Sequence, residues 1–205
     1  MYREFIKKQK QPLLIVISGP SGVGKDTVLQ RMKQLQLPFQ FVVTATSRPK
    51  REGEVEGVDY FFVSPDEFLG MVERDELLEH ALVYNEYKGI PRQQVRDAFA
   101  SGRDVVMRID VQGAETIRQL YPEALLIFLS TQTEEELIAR LKERRTESEE
   151  KLQLRIDTAR EELHKVELFD YYVVNADGML DATIAAIVAI IESEHRRSKP
   201  RQVRL

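Results

Sequence analysis

The sequence contains no cysteine, and it carries no excess of basic residues, because its formal net charge at pH 7 is −4. Without cysteine, neither a disulfide framework nor a thiolate zinc site can form. A general nucleic-acid binder is normally basic, so no nucleic-acid partner is expected. No apolar run approaches the length of a membrane span, and residues 1–11 are charged and lack the apolar stretch of a secretory signal. We therefore expect a cytoplasmic protein with no membrane partner.

The 205 residues are 42% hydrophobic and 31% charged, which is typical of a globular protein of one or two domains. Residues 13–18 and 124–129 are apolar almost throughout, as in strands that are buried on both faces. Such strands alternate with helical patterns along the chain. This alternation predicts an α/β fold, with a doubly wound parallel sheet that has helices on both faces. Ligands of such sheets bind at the carboxyl ends of the strands.

A glycine-rich stretch from Gly19 to Lys25 stands between an apolar strand and a predicted helix. Its spacing fits G-x-x-x-x-G-K, the pattern of a phosphate-binding P-loop. Backbone N–H groups of such a loop line an anion cradle, and the helix N-terminus and Lys25 add positive charge. A glycine-rich turn that contains a lysine by chance is the alternative. The usual Ser or Thr after the lysine is replaced by Asp26, and Thr27 follows; the sequence leaves open which of the two meets magnesium or a phosphate.

Residues 44–94 interrupt the alternation with short strands, one helix and a polar loop, and a turn is predicted at Lys88-Gly89. The loop holds Arg48 and Arg51, and Tyr60 follows it. Two guanidinium groups and a phenol suit a phosphate dianion, because bidentate arginine hydrogen bonds are strong and directional. A solvated surface loop is the competing interpretation.

Two carboxylates occupy unusual positions. Glu79 lies in an otherwise apolar predicted strand, where burial is costly unless the group is paired. It could accept hydrogen bonds from the N1–H and N2–H groups of guanine, or it could simply face outward. Asp110 ends an apolar strand, as a magnesium-holding Walker-B acid does, but a helix follows at once and Asp110 could equally be its N-cap.

Charged residues dominate the stretch between Arg140 and Arg155. Arginines on a mobile segment can close over a triphosphate and exclude water. A helical surface with ion pairs four residues apart, such as Glu136 with Arg140, is the alternative. The basic segment 195–205 is expected to be disordered and solvated.

Taken together, these motifs resemble the guanylate kinase family over residues 13–191. The matching stretches are Ser18–Lys25, Thr44–Arg48, Arg51–Glu54, Gly57–Ser64, Ile109–Ala114, Arg140–Arg144, Thr146–Ser148 and Val173–Asn175. The resemblance implies ATP:GMP phosphotransfer with Mg²⁺ by a monomer or homodimer. It also implies a core (12–43, 95–139 and 156–194), a small α+β GMP-binding insertion (44–94), a helical lid (140–155) and a basic tail (195–205).

The family's functional residues carry over onto matching positions. The implied ATP-binding residues are Gly19, Pro20, Ser21, Gly22, Val23, Gly24, Lys25, Asp26, Thr27, Arg140 and Asn175. The implied GMP-binding residues are Thr44, Arg48, Arg51, Glu54, Tyr60, Glu79, Lys88, Gly89 and Asp110. The implied catalytic residues are Lys25, Arg48, Arg51, Arg144 and Arg155. The candidate Mg²⁺ residues are Asp110, Asp26 and Thr27.

Three positions depart from the commonest family pattern. Lys88 stands where a tyrosine would contact the GMP phosphate, Ile90 replaces a hydroxyl residue beside guanine, and Arg108 replaces an acidic residue. Together with Asp26, these changes make the chain similar to a subgroup that includes plant organelle-type enzymes. Two alternatives to a guanylate kinase stay open: a P-loop kinase of another small phosphorylated acceptor, and a non-catalytic interaction module of the same fold.

Overall fold

The computed structural model describes residues 11–83, 85–143 and 149–205. In chain order its elements are β1 (Leu14–Ser18), α1 (Lys25–Gln34), β2 (Gln40–Phe41), β3 (Thr44–Thr46), β4 (Tyr60–Phe62), α2 (Pro65–Glu73), β5 (Leu77–Val83), β6 (Glu86–Pro91), α3 (Arg92–Ala100), β7 (Val105–Arg108), α4 (Val111–Leu120), β8 (Leu125–Ser130), α5 (Glu134–Glu143), α6 (Glu149–Leu163), a 3₁₀ helix (His164–Leu168), β9 (Tyr171–Val174) and α7 (Leu180–His195).

The larger sheet is fully parallel, with the strand order β2-β7-β1-β8-β9. All five residues of β1 are buried, because this central strand is covered on both faces. Leu14 and Val16 pack with α3 and α4 on one face. Ile15 and Ile17 pack with α1, α5, α6 and α7 on the other. The predicted α/β class, with helices on both faces of a parallel sheet, is confirmed.

A second sheet is built from the interrupting segment, in the order β4-β3-β6-β5. Strand β3 is parallel to β4 and antiparallel to β6, which also pairs antiparallel with β5. Helix α2 covers this sheet and buries Phe68 against Ala45 and Leu77. Ser64 caps α2 by accepting a hydrogen bond from the Glu67 N–H at 3.1 Å, as the Ser-Pro-Asp-Glu sequence indicates.

The predicted turn at Lys88-Gly89 is wrong. Both residues lie inside β6, where Lys88 pairs with Thr46 and Ala81, and Gly89 with Ala45 and His80. The chain reverses earlier, where Asn85 adopts a left-handed conformation with φ 61°. The register of two neighbouring strands therefore outweighs the local preference of Lys-Gly for a turn.

The C-terminal basic segment is also not disordered throughout, contrary to the prediction. Arg201 is buried and donates to Glu194 Oε2 at 2.6 Å and to the Ala124 carbonyl at 3.1 Å. Val203 packs against the apolar cluster beneath α3 and α4. The segment therefore folds back onto the larger sheet, because the buried Glu194 supplies a partner that the local sequence does not reveal.

The helices of the described residues are all too short or too polar to cross a lipid bilayer.

Candidate active site

The glycine-rich loop leaves the carboxyl end of β1 and leads directly into α1, which begins at Lys25. Gly19 has φ 139°, and a Cβ atom there would lie 2.2 Å from the Leu129 carbonyl oxygen, so only glycine fits against β8. Lys25 donates from Nζ to the carbonyl oxygens of Gly19 at 2.5 Å and Pro20 at 3.0 Å. Its ammonium group is thus held over the loop that a phosphate would enter.

Burial lowers the pKa of Lys25 from 10.5 to about 8. The strongest opposing influence is the charge of Glu162, which raises the pKa, and Asp26 and Asp110 act in the same direction. A phosphate in the loop would favour the protonated amine in the same way. The buried amine of Lys25 would therefore be stabilised in its protonated form by a bound anion.

A cleft of about 310 Å³ opens in front of this loop, between the carboxyl end of the larger sheet and the second sheet. Most of the predicted site residues line it: Ser21, Gly22, Gly24, Lys25, Asp26, Thr27, Thr44, Arg48, Arg51, Tyr60, Glu79, Lys88, Asp110 and Arg155. Others adjoin these residues without lining the cleft: Gly19, Pro20, Val23, Glu54, Gly89, Arg140 and Asn175. Arg144 lies outside the described residues.

On the wall formed by the second sheet, Arg48 is buried and forms a bidentate ion pair with Glu54. Glu54 also accepts a hydrogen bond from the Arg51 backbone N–H at 2.8 Å. The Arg48 guanidinium carbon lies 4.6 Å from the centre of the Tyr60 ring. Glu54 therefore orients Arg48, and Arg48 and Tyr60 lie together at the cleft, as a phosphate site requires.

Deeper in the cleft, Glu79 is only 5% exposed. Burial, and to a lesser extent the negative charge of nearby Asp110, raise its pKa to about 8. Asp110 accepts a hydrogen bond from the Gly113 N–H at 3.0 Å, so it is the N-cap of α4. The cap interpretation of Asp110 is therefore correct, and because Asp110 also lines the cleft, its second role as a magnesium residue stays a prediction.

The carboxyl end of β7 adds an arginine that the motif assignments did not include. Arg108 donates from Nη1 to Asp26 Oδ1 at 2.5 Å and from Nη2 to the Asp59 carbonyl at 3.2 Å. Its backbone carbonyl accepts a hydrogen bond from Thr44 at 3.3 Å. Lys88 lies close by in the cleft, and burial lowers its pKa.

Helix α6 lines the cleft beside the P-loop, and residues of α5 and the end of β9 support the loop from behind. Arg155 donates to the Ser21 hydroxyl at 2.7 Å. Arg140 donates to the carbonyl oxygens of Val23 at 3.3 Å and Asn175 at 2.9 Å. The Asn175 side-chain amide donates to the same Val23 carbonyl at 2.8 Å. The expected ion pair of Glu136 with Arg140 is also present, so Arg140 serves the helix surface and the P-loop together.

Comparison with known proteins fits this geometry. A statistical description of the guanylate kinase family matches residues 11–194. This chain belongs to the guanylate kinase family. It is 52% identical to guanylate kinase 2, chloroplastic/mitochondrial, of Oryza sativa subsp. japonica, over 95% of this chain and 69% of that protein. It is 41% identical to the guanylate kinase of Halalkalibacterium halodurans, over 92% of this chain and 91% of that one.

Among solved structures, the guanylate kinase from Anaplasma phagocytophilum aligns with a TM-score of 0.77 and 27% identity, over 93% of this chain and 89% of that one. The resemblance to guanylate kinases that the motifs indicate is therefore confirmed. Relatives of 41–52% identity over most of the chain support an enzyme of the kinase class.

Glu162 is a further residue of this guanylate kinase cleft that sequence reasoning missed. It is buried against the P-loop, and its Oε2 atom has no hydrogen-bond partner among the described residues. Burial raises its pKa, whereas the charge of Lys25 and a hydrogen bond from the Ser21 backbone lower it. The spacing between Arg155 and Glu162 could have identified this residue, because Glu162 follows Arg155 by two helical turns and therefore lies on the same face of the helix.

Proposed function

We propose that this protein is a guanylate kinase that transfers the terminal phosphate of ATP to GMP. It acts on dGMP as well, because the same contacts to base and phosphate would bind both nucleotides. The observation that carries the proposal is the cleft, because Lys25 and the buried Glu79 line one space together with Arg48, Arg51 and Arg155. A donor phosphate site and a purine-reading carboxylate thus share one opening.

On the donor side, the P-loop amides and Lys25 would bind the ATP phosphates. Arg155 and Arg140 would close over them, and Asn175 would hold Val23 near the adenine end. On the acceptor side, Arg48, Arg51, Tyr60 and Lys88 would bind the GMP phosphate dianion, with Glu54 orienting Arg48. Catalysis then consists of placing two phosphates in line and stabilising the charge between them, so no protein nucleophile is needed.

Guanine would be read by Glu79 and Thr44. The ionised Glu79 carboxylate can accept hydrogen bonds from N1–H and N2–H together, a pair of donors that adenine does not offer. The raised pKa of Glu79, about 8, means that the side chain is protonated in the empty site at neutral pH, and the two N–H donors of guanine would favour its ionised form. We also propose that the chain is divided into a core, a GMP-binding insertion and a lid.

The cleft offers part of a coordination shell for Mg²⁺. Asp26, Thr27 and Asp110 all line the cleft beside Lys25 and offer the oxygen ligands that Mg²⁺ prefers. The described residues contain no cluster of three or more acidic, histidine or cysteine ligands, which suits an ion held mainly by substrate phosphates and water. These three residues would hold the ion, which would neutralise charge on the ATP phosphates. A cytoplasmic location stays a prediction.

The test is phosphate transfer from ATP with magnesium to GMP, dGMP, AMP, CMP and UMP in parallel. We expect strong preference for the guanine nucleotides. Lys25→Met should reduce turnover by about 10³-fold or more, because an electrostatic contact to the transferring phosphate is lost, whereas the exposed Lys142→Met should be unaffected. A folded Lys25→Met variant with normal turnover would contradict the proposal.

One alternative has specific support, a kinase of the same fold with another acceptor. Ile90 is fully buried where the family has a hydroxyl residue beside guanine, and Arg108 replaces an acid. Glu79→Gln discriminates between the two, since it should impair GMP use if Glu79 reads guanine and leave the true acceptor's use unchanged if it does not. A non-catalytic module would bind neither ATP nor GMP in calorimetry.

A further inference from the structure

Two departures from the commonest family pattern, Asp26 and Arg108, contact each other. Asp26 lies in the first turn of α1, directly after Lys25, and Arg108 ends β7. Their side chains form an ion pair at 2.5 Å. A carboxylate has replaced the usual hydroxyl and an arginine the usual acid, so the two changes form a single structural feature.

Arg108 also reaches the second sheet. Its side chain is only 11% exposed, and its guanidinium carbon lies 4.3 Å from the centre of the Tyr60 ring. It donates to the Asp59 carbonyl at 3.2 Å. Since Arg48 lies 4.6 Å from the same ring, Tyr60 is contacted by two guanidinium groups, and Arg108 links this ring to the helix of the ATP loop.

We propose that Arg108 and Asp26 form a positioning pair that sets Tyr60, and with it the acceptor phosphate site, relative to the P-loop. This inference rests on the proposed function. A guanidinium that is nearly removed from water requires a counter-charge, and Asp26 supplies it. Without Asp26, Arg108 would lose its orientation and the Tyr60 ring would lose one of its two cationic contacts. One ion pair thus fixes the position of the acceptor phosphate site relative to Lys25.

The test is a double-mutant cycle with Arg108→Met, Asp26→Asn and the combined variant. Each single change should raise KM for GMP about tenfold, the scale of one lost charge-assisted contact. KM for ATP should change much less in Arg108→Met, because this change leaves the residues assigned to ATP and magnesium in place. In KM for GMP the combined variant should be no worse than Arg108→Met alone, because both changes break the same contact. Multiplying effects, or an unchanged KM for GMP in both single variants, would overturn the proposal.

A rescue experiment keeps the test independent of folding. Arg108→Asp places two acids together and should raise KM for GMP further than Arg108→Met. Adding Asp26→Ser restores the hydroxyl and acid of the commoner pattern, and it should recover at least about tenfold of that loss. Further loss in the Asp26→Ser/Arg108→Asp double variant would refute the pairing.

The matched control is Arg31→Met, which breaks the ion pair of α1 with Asp181 outside the cleft. It should leave both KM values unchanged. If Arg108→Met lowers only the melting temperature and leaves KM for GMP at the wild-type value, Arg108 is a purely structural residue and the inference is wrong. A wild-type protein that is inactive on GMP would instead overturn the proposed function, so the two failures are distinguishable.

Discussion

Glu79 shows how one buried side chain couples stability to recognition. It is nearly removed from water, and Asp110 adds a second negative charge nearby, so its pKa rises from 4.5 to about 8. In the empty protein the proton is therefore retained at neutral pH, where an exposed glutamate would be ionised. Two N–H donors of a bound base would favour the ionised form, so binding guanine would release this proton.

The stability of the fold should depend on Glu79 in a defined direction. Because its folded pKa lies above its unfolded value, its stabilising contribution is complete below about pH 4.5 and is lost as pH rises through about 8. Glu79→Gln should remove this dependence. The free energy of unfolding of the variant, relative to wild type, should therefore rise by about 3–5 kcal/mol between those pH values, measured by urea unfolding.

The control for that measurement is Glu73→Gln, on the exposed end of α2, which should run parallel to wild type at every pH. A constant offset between Glu79→Gln and wild type across the range would show that Glu79 does not titrate in the folded state.

At the scale of elements, the C-terminal segment acts as a strap on the larger sheet. Arg201 contacts Glu194 at the end of α7, Asp170 before β9 and the carbonyl of Ala124 before β8. Burial alone would raise the pKa of Glu194, but hydrogen bonds from Arg201, Tyr171 and Arg197 leave it lowered. Glu194 is therefore ionised, and its buried charge is stabilised by the hydrogen bonds from these three side chains.

Arg201→Met should therefore destabilise the protein by about 2–4 kcal/mol, because it removes a buried cation that pairs with both Glu194 and Asp170. Thermal unfolding checks this, with Arg196→Met as the control, since the Arg196 pair with Glu192 is exposed. The control should change stability by about 0.5 kcal/mol or less. KM and turnover should stay at wild-type values in both variants, and an Arg201→Met protein as stable as the control would mean that the strap is unimportant.

These elements also show what the sequence could and could not predict. Strand β1 and its loop were predictable, because an apolar run, the loop glycines and Lys25 all favour the same structure. Strand β6 was not, because its Glu-Tyr-Lys-Gly-Ile-Pro sequence lacks alternation, and its pairing depends on two distant strands. Gly89 allows the two strands and Leu77 to pack closely, since a Cβ atom there would lie 2.8 Å from Leu77 Cδ1. The local sequence alone suggests a turn at this glycine instead. Arg201 was missed for the same reason, because its partners are distant in sequence.

Across the whole molecule, charge is distributed unevenly. The net charge is −4, yet the cleft concentrates basic side chains. Those that line it are Lys25, Arg48, Arg51, Lys88, Arg108, Lys151 and Arg155. Five carboxyl groups also line the cleft, those of Asp26, Glu79, Glu86, Asp110 and Glu162. The remaining excess of basic side chains is small, and we expect it to attract anionic nucleotides despite the overall charge.

Raising ionic strength should therefore increase KM for both nucleotides, because counter-ions screen this attraction. The exposed Lys151→Gln should weaken the dependence for ATP, whereas Arg103→Gln, exposed and outside this cleft, should leave it unchanged. Steady-state kinetics in increasing potassium acetate measure both slopes. Equal slopes in Lys151→Gln and wild type would argue against steering by the cleft.

The strand order of the larger sheet has a consequence for how the chain acquires its structure. Strand β1 pairs with β7 and β8, so Leu14 lies beside Val105 and Ile15 beside Leu125. During synthesis the apolar β1 cannot form its sheet hydrogen bonds until both partner strands have left the ribosome, and such long-range strand pairs form slowly. The loop that follows β1 is therefore synthesised well before the sheet that supports it can form. A nascent chain halted before β8 should bind no nucleotide and should depend on chaperones for protection.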